Sequence, residues 1–194
     1  MIASPQFHVT MTPEEYLAWE AEQELRHEYD NGAITAMTGG TLPHNDLAIN
    51  LLSVLRPHVK ARGCRINLAD AKVKVRDDGP YYYPDLVVSC DSRDRASTQL
   101  IRYPTLIVEV LSPSTESRDR GKKFRQLQES ETLQEYVLID YASVQVECFR
   151  RSEGRFWVYE TFGAGDVVRL AAVEFECAIE TLYEDVNLTA SPDA

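Results

Sequence analysis

Asp85, Glu109 and Lys123 have the residue types, and stand in the order, needed for metal-assisted hydrolysis. Glu109 interrupts the apolar run Leu106-Ile107-Val108, and Val110-Leu111 resumes it, so the acid belongs to a strand and not to a loop. A lone carboxylate in a core strand is costly unless it is paired or bound to a metal. Asp85 follows Pro84 inside a second strand-like run, aromatic and then β-branched, from Tyr81 to Val88. Two carboxylates on neighbouring strands can hold one Mg²⁺ or Mn²⁺ and leave positions for water and phosphate. The backbone carbonyl of Val110 is a candidate third ligand. A following lysine orients or helps deprotonate the attacking water and offsets charge building on the phosphate. The plain alternative is two unrelated acids capping turns, which suits neither a mid-run glutamate nor an aspartate after proline. Lys122 rivals Lys123, and helix register alone does not separate them.

The elements that must position these residues can be read in turn. After Glu109, Ser112-Pro113-Ser114-Thr115 stops the strand, and Ser114 or Thr115 is a candidate N-cap for a helix running to about Ser130. Its first half is basic: Arg118, Arg120, Lys122, Lys123 and Arg125. Ala71, Val73 and Val75 alternate with Lys72, Lys74 and Arg76, predicting a half-buried strand with one basic face, turned at 77–80 into the Tyr81–Cys90 strand. Thr12-Pro13-Glu14-Glu15 predicts a helix start, the helix reaching about Gln23 and burying Tyr16, Leu17 and Trp19 or Leu25. Asn31-Gly32 predicts a hairpin turn, with Glu28 on its first arm. His44 opens the longest helical pattern, in which Leu47, Leu51, Leu55 and Val59 recur every four residues. Pro57 kinks or ends that helix, and Gly63 stops it at the latest. Strands follow over 135–140, 143–150 and 156–162, then a short helix over 178–182; 91–102 reads as a loop with Arg93-Asp94-Arg95 solvated. Glu28 and His44 are further catalytic candidates, although by spacing alone Glu28 could pair with Arg26 or a lysine, and His44 could merely cap its helix.

Composition sets the bounds. The 194 residues, 44% hydrophobic and 26% charged, suit one domain over 12–186 with loose termini at 1–11 and 187–194. No apolar run approaches the roughly 18 residues of a membrane span, and the N-terminus lacks a signal pattern; the expected location is cytoplasmic. Cys64, Cys90, Cys148 and Cys177 form no C-x-x-C pair and read as reduced core thiols. Twenty basic against 31 acidic side chains give a net charge of −11, which argues against a protein that coats nucleic acid by phosphate neutralisation. It leaves room for a local basic face, on which Lys72, Lys74, Arg118 and Lys122 are candidate nucleic-acid contacts. No Gly-rich phosphate loop, Gly-x-Ser-x-Gly elbow or His-Glu-x-x-His helix occurs.

The series Glu28, Asn31-Gly32, Met37, His44, then Tyr83-Pro84-Asp85, Val108-Glu109-Val110-Leu111-Ser112-Pro113-Ser114-Thr115, Asp119, Lys123 and Glu135-Tyr136-Val137-Leu138 resembles a bacterial family of restriction-endonuclease-like proteins within the PD-(D/E)xK nucleases. The resemblance runs from about Thr12 to Tyr183. It implies an α/β (α+β) domain, a mixed sheet flanked by helices. It implies Asp85 and Glu109 as metal acids, Lys123 as the lysine four after Asp119, Glu28 as the acid of the first motif, and His44 as the histidine opening the long helix. It departs from the wider superfamily in one respect: Leu111 stands where the lysine two after the glutamate is usual, so the lysine has moved to the next helix. Leu127 stands where an aromatic is common. The expected activity is Mg²⁺- or Mn²⁺-dependent cleavage of DNA by a homodimer. The alternatives are a non-catalytic binding module on an inherited nuclease fold and, more remotely, a hydrolase of small phosphoesters. The dimer is expected because Val144, Val146, Phe149, Phe156, Trp157 and Tyr159 exceed what one sheet face must bury, unless they pack on the first helix.

Overall fold

The computed structural model describes residues 6–7, 11–37 and 39–188. The element order is β1 (Gln6–Phe7), α1 (Pro13–Glu20), β2 (His27–Asp30), β3 (Ala33–Ala36), α2 (Leu42–Ala61), β4 (Arg65–Leu68), β5 (Lys72–Lys74), β6 (Tyr81–Tyr82), β7 (Leu86–Ser89), β8 (Leu100–Ile101) and β9 (Leu106–Val110). A broken helix follows, α3 (Glu116–Arg118), a π turn (Asp119–Lys123) and α4 (Phe124–Leu127). The chain continues through β10 (Glu135–Ile139), β11 (Gln145–Arg151), β12 (Trp157–Gly163), β13 (Val167–Leu170), β14 (Phe175–Ala178) and α5 (Ile179–Leu182). The expected loose ends fall, for residues 1–5, 8–10 and 189–194, outside the described residues; Gln6–Phe7 pairs with β3.

Two six-stranded mixed sheets form, in the orders β1-β3-β2-β6-β5-β8 and β12-β11-β10-β9-β7-β4, with β13 and β14 as a separate hairpin. In the second sheet β9 and β10 are parallel neighbours. Side-chain alternation assigns the faces. Leu106, Val108 and Val110 meet α2 through Leu47, Leu51, Leu55 and Val59. Ile107 and Leu111 meet Phe124, Leu127 and Leu133 on the other side. Glu109 shares the parity of Ile107 and Leu111, so it faces the broken helix. A third cluster packs Tyr16 of α1 on Tyr29, Ile34 and Tyr81 of the first sheet. Each such buried side chain contributes roughly 1.5–3 kcal/mol.

Local chemistry explains the elements near the site. Thr12 and Glu15 form a complete capping box on α1. Asn31 (φ 49°) and Gly32 (φ 87°) both take the left-handed conformation that a tight hairpin requires. The Thr41 hydroxyl accepts the His44 N–H at 3.5 Å, so Thr41 caps α2 and the imidazole of His44 is left for other work. α2 continues past Pro57 to Ala61.

Five sequence expectations need correction. The Tyr81–Cys90 strand is two strands in two sheets, because Pro84 has no N–H for a ladder and ends the pairing there. The basic helix is not one α-helix to Ser130: it carries a π turn and ends at Leu127, and Thr115 makes no side-chain cap. Asp94 is buried, accepting from the Ser89 hydroxyl at 2.7 Å and the N–H groups of Arg102 and Tyr103 at 3.0 and 2.9 Å. Cys64 and Cys90 are joined in a disulfide, since the antiparallel pairing of Arg65 with Ser89 brings the flanking residues together; Cys148 and Cys177 are free thiols. Phe149 and Trp157 pack on Phe124, not on α1, while Phe156 stays 77% exposed. Among the described residues no helix is long and apolar enough to cross a membrane.

Candidate active site

The broken helix, β2, β9 and the start of α2 converge where the two sheets meet. Lys123 is buried, and its Nζ lies 2.7 Å from Glu109 Oε1, 3.0 Å from Glu28 Oε1 and 3.8 Å from Asp119 Oδ1. Glu28 also accepts the Tyr83 N–H at 3.0 Å, and its Oε2 meets the Arg118 guanidinium at 2.5 Å. Asp85, two residues after that N–H, accepts the Val110 N–H on Oδ2 at 2.7 Å, and His44 Nε2 lies 3.2 Å from the same oxygen. The side chains of Asp85 and His44 are 18% and 19% exposed, whereas Glu28, Glu109, Asp119 and Lys123 are buried. Solvent therefore reaches the cluster from the Asp85–His44 side. Gly40 closes on that side: a Cβ there would lie 2.8 Å from His44 Nδ1.

Four carboxylates, Glu28, Asp85, Glu109 and Asp119, face two permanent cations, Lys123 and Arg118. Burial pushes Glu109 well above the usual carboxylate range; Lys123 opposes this, and Asp119, Asp85 and Glu28 add to it. Asp119 is raised for the same reason, with Lys123 and a Thr115 hydrogen bond opposing. Burial alone would discharge Lys123, but Glu109, Glu28 and Asp119 outweigh it and hold the ammonium charged. At His44, burial lowers the imidazole, yet the hydrogen bond and charge of Asp85, the Val110 carbonyl and Asp119 carry it net above its ordinary value.

Whether these residues suit a divalent cation turns on two observations. Glu109 Oε1 has the Lys123 ammonium 2.7 Å away, but no donor is aligned on it as a hydrogen bond, which leaves a buried acceptor with capacity to spare. The excess of negative charge is of the sign a cation relieves. Among the described residues no three Asp, Glu, His or Cys side chains already form a ready cation site. Two carboxylates completed by a carbonyl and water is the donor set Mg²⁺ takes more readily than an all-protein cage. The residues fit the group on those terms.

Asp85, Glu109, Lys123, Glu28 and His44 are thus brought together, Val110 is bound to Asp85 through its N–H, and Arg118 pairs with Glu28. Lys122 is turned away from Glu109 and pairs with Asp30. Lys72 and Lys74 are engaged elsewhere: Lys72 lies over the rings of Tyr16 and Tyr83, and Lys74 holds Asp77 at 3.0 Å. Asp119, Asp30, Gln126 and Tyr82 were not singled out from the sequence as site residues. Asp119 and Asp30 had a usable signal, standing four before Lys123 on a helix and two after Glu28 on a strand; Tyr82 and Gln126 had none.

A mixed sheet flanked by helices, with the acids on strand ends at its centre, defines a restriction-endonuclease-like fold. A solved structure described as a putative nuclease belonging to DUF820, from Anabaena variabilis, superposes with a TM-score of 0.73 at 21% identity, covering 89% of this chain and 97% of that one. The family model described as "Putative restriction endonuclease" (Uma2) matches residues 13–180, and the chain belongs to that family. Two Synechocystis proteins are similar along most of their length. Uncharacterized protein slr1290 is 39% identical over 173 residues, 89% of this chain and 91% of the relative. Uncharacterized protein sll1609 is 31% identical over 150 residues, 76% of this chain and 85% of the relative.

Proposed function

We propose that the chain is a metal-dependent endonuclease that hydrolyses phosphodiester bonds of DNA, with Asp85 and Glu109 holding one Mg²⁺ or Mn²⁺ and the Val110 carbonyl as third protein ligand. The observation that carries this reading is the buried Glu109 carboxylate with an unfilled acceptor, 2.7 Å from a buried ammonium and beside the half-open Asp85. When bound, the cation supplies Lewis-acid polarisation of a phosphoryl oxygen. Lys123, held charged by three carboxylates, donates to the attacking water and offsets charge developing on the phosphate. Glu28 fixes Lys123 from one side and Arg118 from the other. His44 orients Asp85. Arg118 and Lys122, partly exposed on the same helix, are the nearest groups for phosphate contact. The acting unit is a homodimer, for which the exposed Phe156, Val158 and Tyr159 at the outer strand of the second sheet offer apolar surface.

The test is cleavage of plasmid and linear DNA in Mn²⁺, in Mg²⁺ and in EDTA, with calorimetric Mn²⁺ titration of the wild type and of an Asp85→Ala/Glu109→Ala double variant. Metal-dependent cleavage with Mn²⁺ binding lost in the variant supports the reading. Equal cleavage in EDTA, or equal Mn²⁺ binding by both proteins, overturns it. Light scattering settles the dimer: a mass near the 22.0 kDa chain rejects it.

A further inference from the structure

Lys122 and Lys123 are adjacent, equally charged and equally long, yet one is buried among acids and the other lies at the surface. Beyond Lys123 the helix is fixed by Phe124 and Leu127 in the core, so the choice lies within the turn that bears the two lysines. The helix passes through a π turn from Asp119 to Lys123, and Gly121 at the centre of that turn adds nothing to its packing, since a Cβ there would meet nothing within 4 Å. A π turn differs from an α turn by one residue of register, and glycine is a poorer helix former than any residue but proline. The turn thus has two registers to be told apart: Lys123 inward, as here, or Lys122 inward.

Glu109 and Asp119 draw Lys123 inward, and on β2, across the gap, the two lysines meet different acids. Glu28 and Asp30 are two apart on that strand and share a face. Glu28 receives Lys123 at 3.0 Å, and Asp30 Oδ2 receives Lys122. The second oxygen of Asp30 accepts Gln126 Nε2 at 2.6 Å, and Gln126 Oε1 accepts the Tyr82 hydroxyl. The Tyr82 ring returns to the site, 5.4 Å from Lys123 Nζ and 5.7 Å from the Arg118 guanidinium carbon. The contacts close a loop: Lys122, Asp30, Gln126, Tyr82, Lys123. Asp30, Gln126 and Tyr82 are all buried, so each of these partners is costly to lose. A slip within the turn would carry Lys122 toward Glu28 and strip Asp30 of its ion pair, while Gln126 and Tyr82 hold Asp30 in place against it.

We propose that Asp30, braced by Gln126 and Tyr82, is a positioning residue that selects Lys123 over Lys122 for the acid cluster by holding Lys122 outside it. The significance of the choice rests on the reading of Lys123 as the site lysine, but the selection itself is a structural property that can be measured without metal or DNA. The experiment is timed acetylation of the folded protein with an N-hydroxysuccinimide ester, each lysine followed by peptide mass spectrometry. In the wild type Lys122 should react on the order of tenfold faster than Lys123, as expected for a group protected except during local opening. Asp30→Asn should collapse that ratio, Asp30→Glu should largely restore it, and Tyr82→Phe, which removes one hydroxyl and keeps the ring, should narrow it. An unchanged ratio in Asp30→Asn overturns the proposal; should that variant not fold, an unchanged ratio in Tyr82→Phe overturns it. A cleavage assay run in parallel judges the nuclease reading separately. If no variant or wild type cleaves DNA while the ratio still collapses, selection stands and the nuclease reading falls.

Discussion

Two buried charge clusters in this molecule behave in opposite ways. Glu135, 0% exposed, is satisfied at both oxygens: Arg150 Nε donates to Oε1 at 2.7 Å and the Ala172 N–H donates to Oε2 at 3.0 Å. Arg150 is saturated in turn by Glu160 and by the Arg169 carbonyl at 2.5 Å. That cluster ties β10 to β11, β12 and β13 and has no acceptor left over. Around Lys123 the acids outnumber the cations, and Glu109 Oε1 lacks an aligned donor. The difference teaches how to tell a structural ion pair from a site. Burial and an excess of acid are common to both, and a buried carboxylate oxygen without an aligned donor belongs to only one.

The sharpest way to break that comparison is to neutralise each acid. Glu109→Gln should reduce metal-dependent cleavage about a thousandfold, as loss of a ligand to the charge-stabilising cation would, and leave the melting temperature of the metal-free protein level or higher. Glu135→Gln should leave the Mn²⁺ affinity intact and destabilise the fold by about 1–3 kcal/mol, the cost of leaving a buried polar partner less well satisfied while Glu160 still pairs Arg150. Calorimetry and thermal melts on both proteins decide this, and the reverse pattern sinks the distinction.

Lys123→Met sharpens it from the cationic side. It leaves Glu28, Glu109 and Asp119 buried without their ammonium, so the metal-free protein should lose about 3–5 kcal/mol in urea unfolding. Saturating Mn²⁺ should recover part of that loss, because a bound cation stabilises by mass action. No ligand-dependent recovery is expected for Arg150→Met.

Proton and metal should compete at the site cluster. The folded pKa values of Glu109 and Asp119 lie above their unfolded values, so their stabilising contribution is present below the unfolded range and is lost as pH rises through the folded pKa. A cation binds the deprotonated carboxylates. The rise in melting temperature caused by Mn²⁺ should therefore be larger at about pH 8 than at about pH 5.5, both on the scale of ordinary carboxylate and histidine titration. A constant shift across that window would refute the linkage.

The smallest effect is expected at Gly40. Gly40→Ala pushes the His44 ring away from Asp85 and should slow cleavage by about ten- to a hundredfold, the scale of an ångström misplacement, with stability within about 0.5 kcal/mol because the position is exposed. Unaltered kinetics would mean that His44 does not orient Asp85.

Much of this was legible along the chain. The four-residue apolar period named the buried face of α2, Asn31-Gly32 named the hairpin, and the acid inside an apolar run pointed to Glu109, because each signal is local and periodic. The order of Asp85, Glu109 and a following lysine, with Glu28, His44 and Lys123 added by the family resemblance, indicated which residues ought to meet. Other features are decided only across the fold. The split of the Tyr81–Cys90 strand into two sheets, the Cys64–Cys90 disulfide and the burial of Asp94 depend on pairings between strands distant in sequence. So does the inward turn of Lys123 over Lys122: two adjacent lysines are alike in sequence until the fold sets Glu109, Glu28 and Asp119 around one and Asp30 beside the other.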